Sequence, residues 1–361
     1  MDNNKNPLVS IVATSYNFEK FIPYFMESVL AQTYKNWELI VTDDCSADKS
    51  LEILKSYENE DKRIRIFQND RNRHAYYTMN NSIKNATGDY ICMISCDDAF
   101  FPEKIAHDVE FMENNSNIGV LYGQLSQIDE KNISHGKYSY VPLENFDRFN
   151  LLREMYLSGN KCLAPGMFLR REIAELAGNF SMLRVTHDYE YHIKVLFHTE
   201  PAYNAKPLTQ YRRMSNNSNL SSDNVSSTIN SEDNETFFIL NVYLKYITEY
   251  SLLRRIFPEV VKFGPNDDRL VPFYLGRLAL TSKLNHVKAF GLHIIYTFIS
   301  NQDNADYLEK RANFLPKDFM KIASDCRIYR PSDSNDGCLK KIGKFLYGLI
   351  KIVYRKLKKV I

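Results

Sequence analysis

No stretch of the 361 residues is long and apolar enough to span a bilayer as a helix; Val9 to Ala13 is mostly apolar but far too short. The start, Met1-Asp2-Asn3-Asn4-Lys5-Asn6-Pro7, has no basic segment followed by an apolar core, so no secretory signal is expected there. The six cysteines, Cys45, Cys92, Cys96, Cys162, Cys326 and Cys338, include no Cys-x-x-Cys pair. Without an export signal, reduced thiols in a cytoplasm are expected. Cys92 and Cys96 have no second pair and no histidine at ligand spacing, which argues against zinc, and the eight histidines form no ligand cluster in sequence. No Gly-x-Gly-x-x-Gly and no Walker lysine loop follows the first apolar strand, which weighs against nicotinamide and P-loop enzymes. A net charge of +2 gives no global case for nucleic acid as a partner. What remains is an ordinary globular composition, 44% apolar and 25% charged, in a chain long enough for a large domain with an appended one.

The most informative positive feature is Asp97-Asp98. It ends the apolar run Tyr90 to Ile94, which Gly88-Asp89 introduces. Such a short apolar run reads as a parallel strand buried on both faces. Open parallel sheets bind ligands beyond the carboxyl ends of their strands. Two adjacent carboxylates there repel unless something positive joins them, and a hard divalent cation shared with phosphate oxygens meets that need. Taken alone, such a pair is more often an acidic strand-to-loop turn with no ligand. Its surroundings decide otherwise. Strands are expected at Leu8 to Ala13, Glu38 to Thr42, Ile64 to Phe67 and Tyr90 to Ile94, with helices at Phe18 to Gln32, Asp48 to Glu58 (Asp48 as N-cap) and Thr78 to Ala86. This alternation means a doubly wound α/β sheet. Thr14 to Tyr16, Asp43-Asp44 and Asp97-Asp98 then share one sheet edge. Further strands are expected at Ile118 to Tyr122, Met167 to Arg170 and Leu208 to Arg213. Helices are expected from Glu172 to Ala177 and from Thr186 onward. Residues 129–149 read as a loop or hairpin over the site, and 216–235, rich in Ser and Asn, as a flexible linker. Residues 236–330 read as a helical C-terminal domain.

Four blocks in order carry a resemblance: Val9 to Asn17; Ser28 to Tyr34 leading to Trp37 to Asp48; Asn80 to Asp98, including Ala86-Thr87-Gly88-Asp89; and His187-Asp188-Tyr189-Glu190 with Tyr211-Arg212-Arg213 beyond it. Over about residues 7–215 the chain resembles the bacterial family 2 glycosyltransferases, which implies a nucleotide-sugar-binding and catalytic domain over 1–215. In motif style it is similar to spore-coat members, which also have a shortened acidic motif. The resemblance implies a GT-A fold, Rossmann-like with a mostly parallel sheet and here a C-terminal helical region. It further implies an inverting enzyme moving a sugar from a nucleoside diphosphate, UDP or dTDP, to a hydroxyl. By position, Thr14 and Tyr16 would line the base pocket and Asp44 would accept a hydrogen bond from the base. Asp97 would lie near the ribose or sugar, and Asp98 would hold Mn2+ or Mg2+ on the diphosphate. Asp188 would be the general base, with His187, Tyr211 and Arg212 on the acceptor side. The chain departs from the pattern at Ser95, His187, Met79 and His74. Arg71, Arg73 and His74 would meet the diphosphate or form a solvated basic loop.

Residues 331–361 are a second signal. Pro331 to Gly337 reads as a tether. From Cys338 to Ile361, Leu339, Ile342, Leu346, Leu349, Ile350, Val353, Leu357 and Val360 recur at helical spacing among eight Lys or Arg and no acid. That pattern is a basic amphipathic helix suited to an anionic membrane surface, or to packing on protein. The membrane reading places a cytoplasmic enzyme on the inner face of the plasma membrane, beside lipid-linked glycan acceptors of capsule, O-antigen or teichoic-acid type. A homo-oligomer stays open. Two rivals are a non-catalytic nucleotide-sugar-binding recruiter, kept alive by Ser95, and a sugar nucleotidyltransferase, for which Thr14 to Asn17 supplies no Gly-rich basic loop.

Overall fold

The computed structural model describes residues 6–139, 147–214 and 226–326. The tether and basic tail therefore lie outside the described residues. The chain divides into two compact units with the boundary between Glu259 and Val260.

The first unit runs β1 (Val9–Ser15), α1 (Ile22–Leu30), β2 (Trp37–Asp43), α2 (Ser50–Glu60), β3 (Ile64–Gln68), α3 (His74–Asn85), β4 (Tyr90–Ser95), β5 (Ala99–Phe100), α4 (Lys104–Asn114), β6 (Ile118–Ile128), β7 (Ser134–Lys137), α5 (Arg148–Ser158), β8 (Phe168–Arg170), α6 (Arg171–Ala177), α7 (His187–His198), β9 (Glu200–Arg212), α8 (Ser226–Tyr246) and α9 (Tyr250–Ile256). One mixed sheet has the order β3-β2-β1-β4-β8-β6-β9-β5, with β7 paired to β6. The β3-β2-β1-β4 half is parallel. The other half is joined by the antiparallel pairs β4–β8, β6–β8 and β5–β9 and the parallel pair β6–β9.

The parallel half forms as the apolar runs predict. Val9, Ile11 and Ala13 point into one core with Leu39, Val41, Cys92 and Ile94. α1 buries Ile22, Phe25, Met26 and Val29 against it, a stripe at i, i+3, i+4 and i+7. Each such side chain contributes about 1.5–3 kcal/mol of burial. On the opposite face, α3 approaches through small polar groups. Ser82 donates to the Ala13 carbonyl at 2.9 Å, and its Oγ meets the Thr42 hydroxyl at 2.8 Å. Gly88 enters β4 where a Cβ would lie 2.5 Å from the Leu8 carbonyl oxygen, so the motif needs glycine there for close approach.

Three expectations change. The N-cap residue of α2 is Lys49 rather than Asp48, although Asp48 Oδ1 accepts the Ser50 N–H at 2.9 Å. The linker expected over 216–235 is helical from Ser226, the start of α8. α8 also belongs to the first unit. Ile239, Leu240 and Tyr243 are buried, and Tyr243 donates to the Leu152 carbonyl at 2.7 Å. A Ser- and Asn-rich run becomes helix here because the residues after it have a core to bury in. The second unit contains α10 (Val271–Ala279), α11 (Asn285–Ile299), α12 (Gln302–Ala312) and α13 (Pro316–Asp325), helical as expected. No helix among the described residues is long and apolar enough to cross a membrane.

Candidate active site

The register brings three motif loops together. Thr14 stands opposite Thr42 on one side and Ser95 on the other, and Ser15 opposite Asp43. The loops after β1, β2 and β4 thus leave from one edge. They are bonded to one another: the Thr14 carbonyl accepts the Cys96 N–H at 2.9 Å, and the Ser15 carbonyl accepts the Asp44 N–H at 2.8 Å. Asn17 adopts φ 56°, a left-handed conformation that Asn tolerates. Its side chain accepts the Ala47 N–H, and its own N–H donates to Ser46 Oγ. Thr14 is half-buried beside this junction, while the Tyr16 ring is 43% exposed on the edge, as a stacking surface would be.

Asp44 is buried. Its Oδ1 accepts Asn69 Nδ2 and the Arg73 N–H, both at 2.7 Å. One oxygen of the expected base-recognising carboxylate is thereby committed to anchoring the β3–α3 loop. That loop carries Arg71, Arg73 and His74. Arg73 pairs with Asp70 at 2.9 Å and lies 5.1 Å over the Tyr77 ring, and exposed His74 opens α3 at φ 66°.

The acidic motif has a floor that its sequence does not announce. Directly after Asp98, β5 pairs with β9, Ala99 opposite Gln210. This brings Arg212 beneath the motif. Its N–H donates to Asp98 Oδ1 at 2.8 Å and its Nε to the Asp97 carbonyl at 2.6 Å. Its other guanidinium nitrogens donate to the Asp129 carbonyl and to Asn132 Oδ1. The guanidinium lies 4.5 Å from the Phe21 ring centre, and the residue is fully buried. Arg212 therefore cannot touch an acceptor. The expectation of an acceptor-side role is corrected to a structural one, because strand alternation turns it inward. Its neighbour Tyr211 is half-buried, edge-on to Tyr138 at 5.1 Å.

Burial pushes both motif carboxyls above the usual carboxylate range. Asp98 is driven well up, first by burial and then by the Asp97 charge. Asp97 is raised by burial despite its hydrogen bond with Ser95. The positive charge of Arg212 works against both shifts and does not cancel them. Among the described residues no three His, Cys, Asp or Glu side chains gather as an all-protein metal cage. The donor chemistry fits a hard divalent cation that takes one or two carboxylates and completes its shell with diphosphate oxygens and water. Cys92 and Cys96 are buried, with thiols pushed up by burial, as a structural role requires.

Asp188 lies in the first turn of α7, where the helix dipole favours an anion. The N-cap residue is Thr186, so Asp188 is not the cap. It is half-buried, and its Oδ1 accepts the Tyr189 N–H at 2.7 Å. Its charge reaches His187, His192, Tyr122 and Cys162. Tyr122 Oη meets His192 Nδ1 at 3.1 Å, and burial lowers the His192 pKa to about 4, which keeps that ring neutral at physiological pH. His187 is also held low by burial, and its Nδ1 is buried without a partner. Asn80, Asn69 and Glu235 are site-supporting residues the sequence reading did not single out. Asn80 sat inside a motif block. Glu235 carried no signal, because its partners are some fifty residues upstream.

The sequence profile described as "Glycosyl transferase family 2" matches residues 10–176. The chain is 37% identical over 126 residues to the UDP-Glc:alpha-D-GlcNAc-diphosphoundecaprenol beta-1,3-glucosyltransferase WfgD of Escherichia coli, covering 35% of this chain and 49% of that protein. It is 33% identical over 203 residues to the uncharacterized glycosyltransferase RT0329 of Rickettsia typhi, covering 54% and 60%. The chain spans about half the length of the curated relatives it matches. Among solved structures, residues 1–349 of S. aureus TarS in complex with UDP-GlcNAc align with a TM-score of 0.56 at 18% identity, covering 84% of this chain and 90% of that one. At that identity the likeness speaks for the fold, which is GT-A. Over residues 10–176 the chain matches the profile of glycosyl transferase family 2, with the motif blocks in the same order as in the sequence resemblance.

Proposed function

We propose that this chain is an inverting, metal-dependent glycosyltransferase that moves a sugar from a UDP or dTDP donor to a hydroxyl of a cell-surface glycan precursor. The observation that supports this most is the acidic pair at the carboxyl end of β4, whose charges burial disfavours and Arg212 does not balance. Asp98, with Asp97, would hold Mn2+ or Mg2+. The ion, when bound, acts as a Lewis acid on the departing diphosphate. Tyr16 stacks on the base, with Thr14 beside it, and Asp44 presents its remaining oxygen to a ring N–H. Arg71, Arg73 and His74 extend the positive edge toward the phosphates. Asp188 takes the proton of the acceptor hydroxyl as that oxygen bonds to the anomeric carbon. The carbon–oxygen bond to the diphosphate breaks on the opposite face, its electron pair leaves with the diphosphate, and the configuration inverts. His187 and Tyr211 shape the acceptor side.

The relatives' names point the same way: WfgD uses UDP-Glc and a diphosphoundecaprenol-linked acceptor, and TarS was captured with UDP-GlcNAc. The test is melting temperature across UDP, dTDP, GDP and their sugars, with and without Mn2+. A ligand at 100 times its Kd adds about 2.7 kcal/mol to native stability, a shift of several degrees. A Mn2+-dependent shift confined to the uridine or thymidine series is expected; no shift with any nucleotide counts against the reading. A shift without turnover of the sugar donor would mark a nucleotide-binding recruiter instead.

The proposal includes attachment to the inner face of the plasma membrane through residues 338–361, on the strength of their sequence alone. The full chain should sediment with vesicles containing phosphatidylglycerol and release as salt rises from 0.1 to 1 M, where the Debye length falls from about 10 to about 3 Å. Removal of residues 338–361 should abolish sedimentation. Equal sedimentation of the shortened chain would exclude the tail as anchor.

A further inference from the structure

The segment leading into Asp188 is held from outside its own helix. A helix start leaves backbone N–H groups without intrahelical partners. The N-cap residue Thr186 makes no side-chain cap to α7. Glu235, on α8, instead holds the three residues that lead into the helix. Its Oε1 accepts the Arg184 N–H at 2.7 Å. Its Oε2 accepts the N–H groups of Val185 and Thr186, both at 3.0 Å, and the Thr186 hydroxyl at 2.8 Å. Arg184 Nη1 donates to Ser231 Oγ, one turn earlier on α8, at 3.3 Å. These bonds outweigh burial and hold the Glu235 carboxyl below its usual range, so it is an anion. The same segment is pinned at its other end. Asn80 exchanges two hydrogen bonds with the Phe180 backbone, at 2.8 and 2.9 Å, and the Phe180 ring stacks on Tyr191 at 3.9 Å.

Glu235 stands on a fixed support, since α8 is seated in the core by Ile239, Leu240 and Tyr243. One carboxylate thus sets the backbone of three consecutive residues, and Asp188 follows two positions later. A general base must lie within hydrogen-bond reach of the proton it takes, and a misplacement of about 1 Å costs on the order of 100-fold in rate.

We propose that Glu235 is a positioning residue for transfer, acting through Asp188 by fixing Arg184–Thr186 at the entrance to α7. This rests on the reading of Asp188 as the base. The experiment follows UDP release by the full chain from UDP-glucose and from UDP-N-acetylglucosamine with Mn2+. It compares wild type, Glu235→Ala, Glu235→Gln, Asp188→Asn and the two double variants. Glu235→Ala should lower kcat about 10- to 100-fold with the donor KM within about two-fold of wild type. Glu235→Gln, which keeps one acceptor oxygen, should fall between the two. In the Asp188→Asn background the Glu235 substitutions should change the residual rate by less than about two-fold, because the residue they act through is gone. Unchanged kcat in Glu235→Ala, or the same loss in both backgrounds, overturns the positioning role alone. If Glu235→Ala shows no cooperative melt, Glu235→Gln carries the same comparison. No nucleoside diphosphate release by wild type from these donors or from dTDP-glucose, or full activity in Asp188→Asn, overturns the transfer reading, and the positioning role with it.

Discussion

Asp188→Asn should lower sugar transfer by about 10²- to 10⁴-fold, the range a positioned general base contributes. The substitution is close to isosteric. Its amide oxygen can still accept the Tyr189 N–H that Asp188 Oδ1 accepts now, so the first turn of α7 keeps its local bond. Only the capacity to take a proton is removed. The proposed nucleotide side draws on other elements: Thr14 near the end of β1, Tyr16 just after it, Asp44 after β2, and the β3–α3 loop. Nucleotide-induced melting shifts should therefore match those of wild type. The expected outcome is a chain that binds donor normally and turns over very slowly. Rates within a few-fold of wild type would remove Asp188 from the chemistry. A lost nucleotide shift would show that it supports the fold rather than the reaction.

Asp98→Asn should move activity and stability in opposite directions. Asp98 is 2% exposed, and burial together with the Asp97 charge drives its carboxyl well above the usual range. A carboxyl whose folded pKa is raised costs stability wherever it must ionise: the unfolded chain deprotonates first, so the native state loses ground as pH rises toward the folded pKa. Asparagine removes that cost and can keep the hydrogen bond from the Arg212 N–H. Without added metal at neutral pH the variant should be more stable by about 1–2 kcal/mol, in line with other site-relieving substitutions. The gain should vanish as pH falls below the ordinary carboxylate range, where both states carry the proton. Mn2+-dependent nucleotide stabilisation and transfer should be lost. A lower melting temperature in the metal-free variant would contradict the account of a charge held against its solvation. Undiminished Mn2+ dependence would place the ion elsewhere.

Much of the nucleotide half was legible in order of residues. β1, β2 and β4 announce themselves because strands buried on both faces need unbroken apolar runs, and the motif loops follow from the rule that parallel strands present their carboxyl ends to ligand. The antiparallel half was harder. β5 is two residues long, too short for any period, and exists because Ala99 and Phe100 find Gln210 and Thr209 more than a hundred residues away. α4 was hidden by charge: Lys104 and Asp108 pair inside the protein, Lys104 also donating to the Gly166 carbonyl at 2.8 Å, so the buried face does not read as apolar. Arg212 misled for the same reason, a charged residue taken for a surface one.

The residue types, in chain order, determined the class of fold and the sheet edge at which Asp43-Asp44 and Asp97-Asp98 stand. Those are matters of local pattern, and local pattern survives in one dimension. Which oxygen of Asp44 is already occupied, what lies under Asp98, and what holds the start of α7 depend on side chains from distant segments meeting in a medium that cannot solvate them. Asn69, Arg212 and Glu235 acquire their roles only there. A hydrogen bond to a buried carboxylate is specified by where two chains come to rest, and nothing in the spacing of either one encodes it.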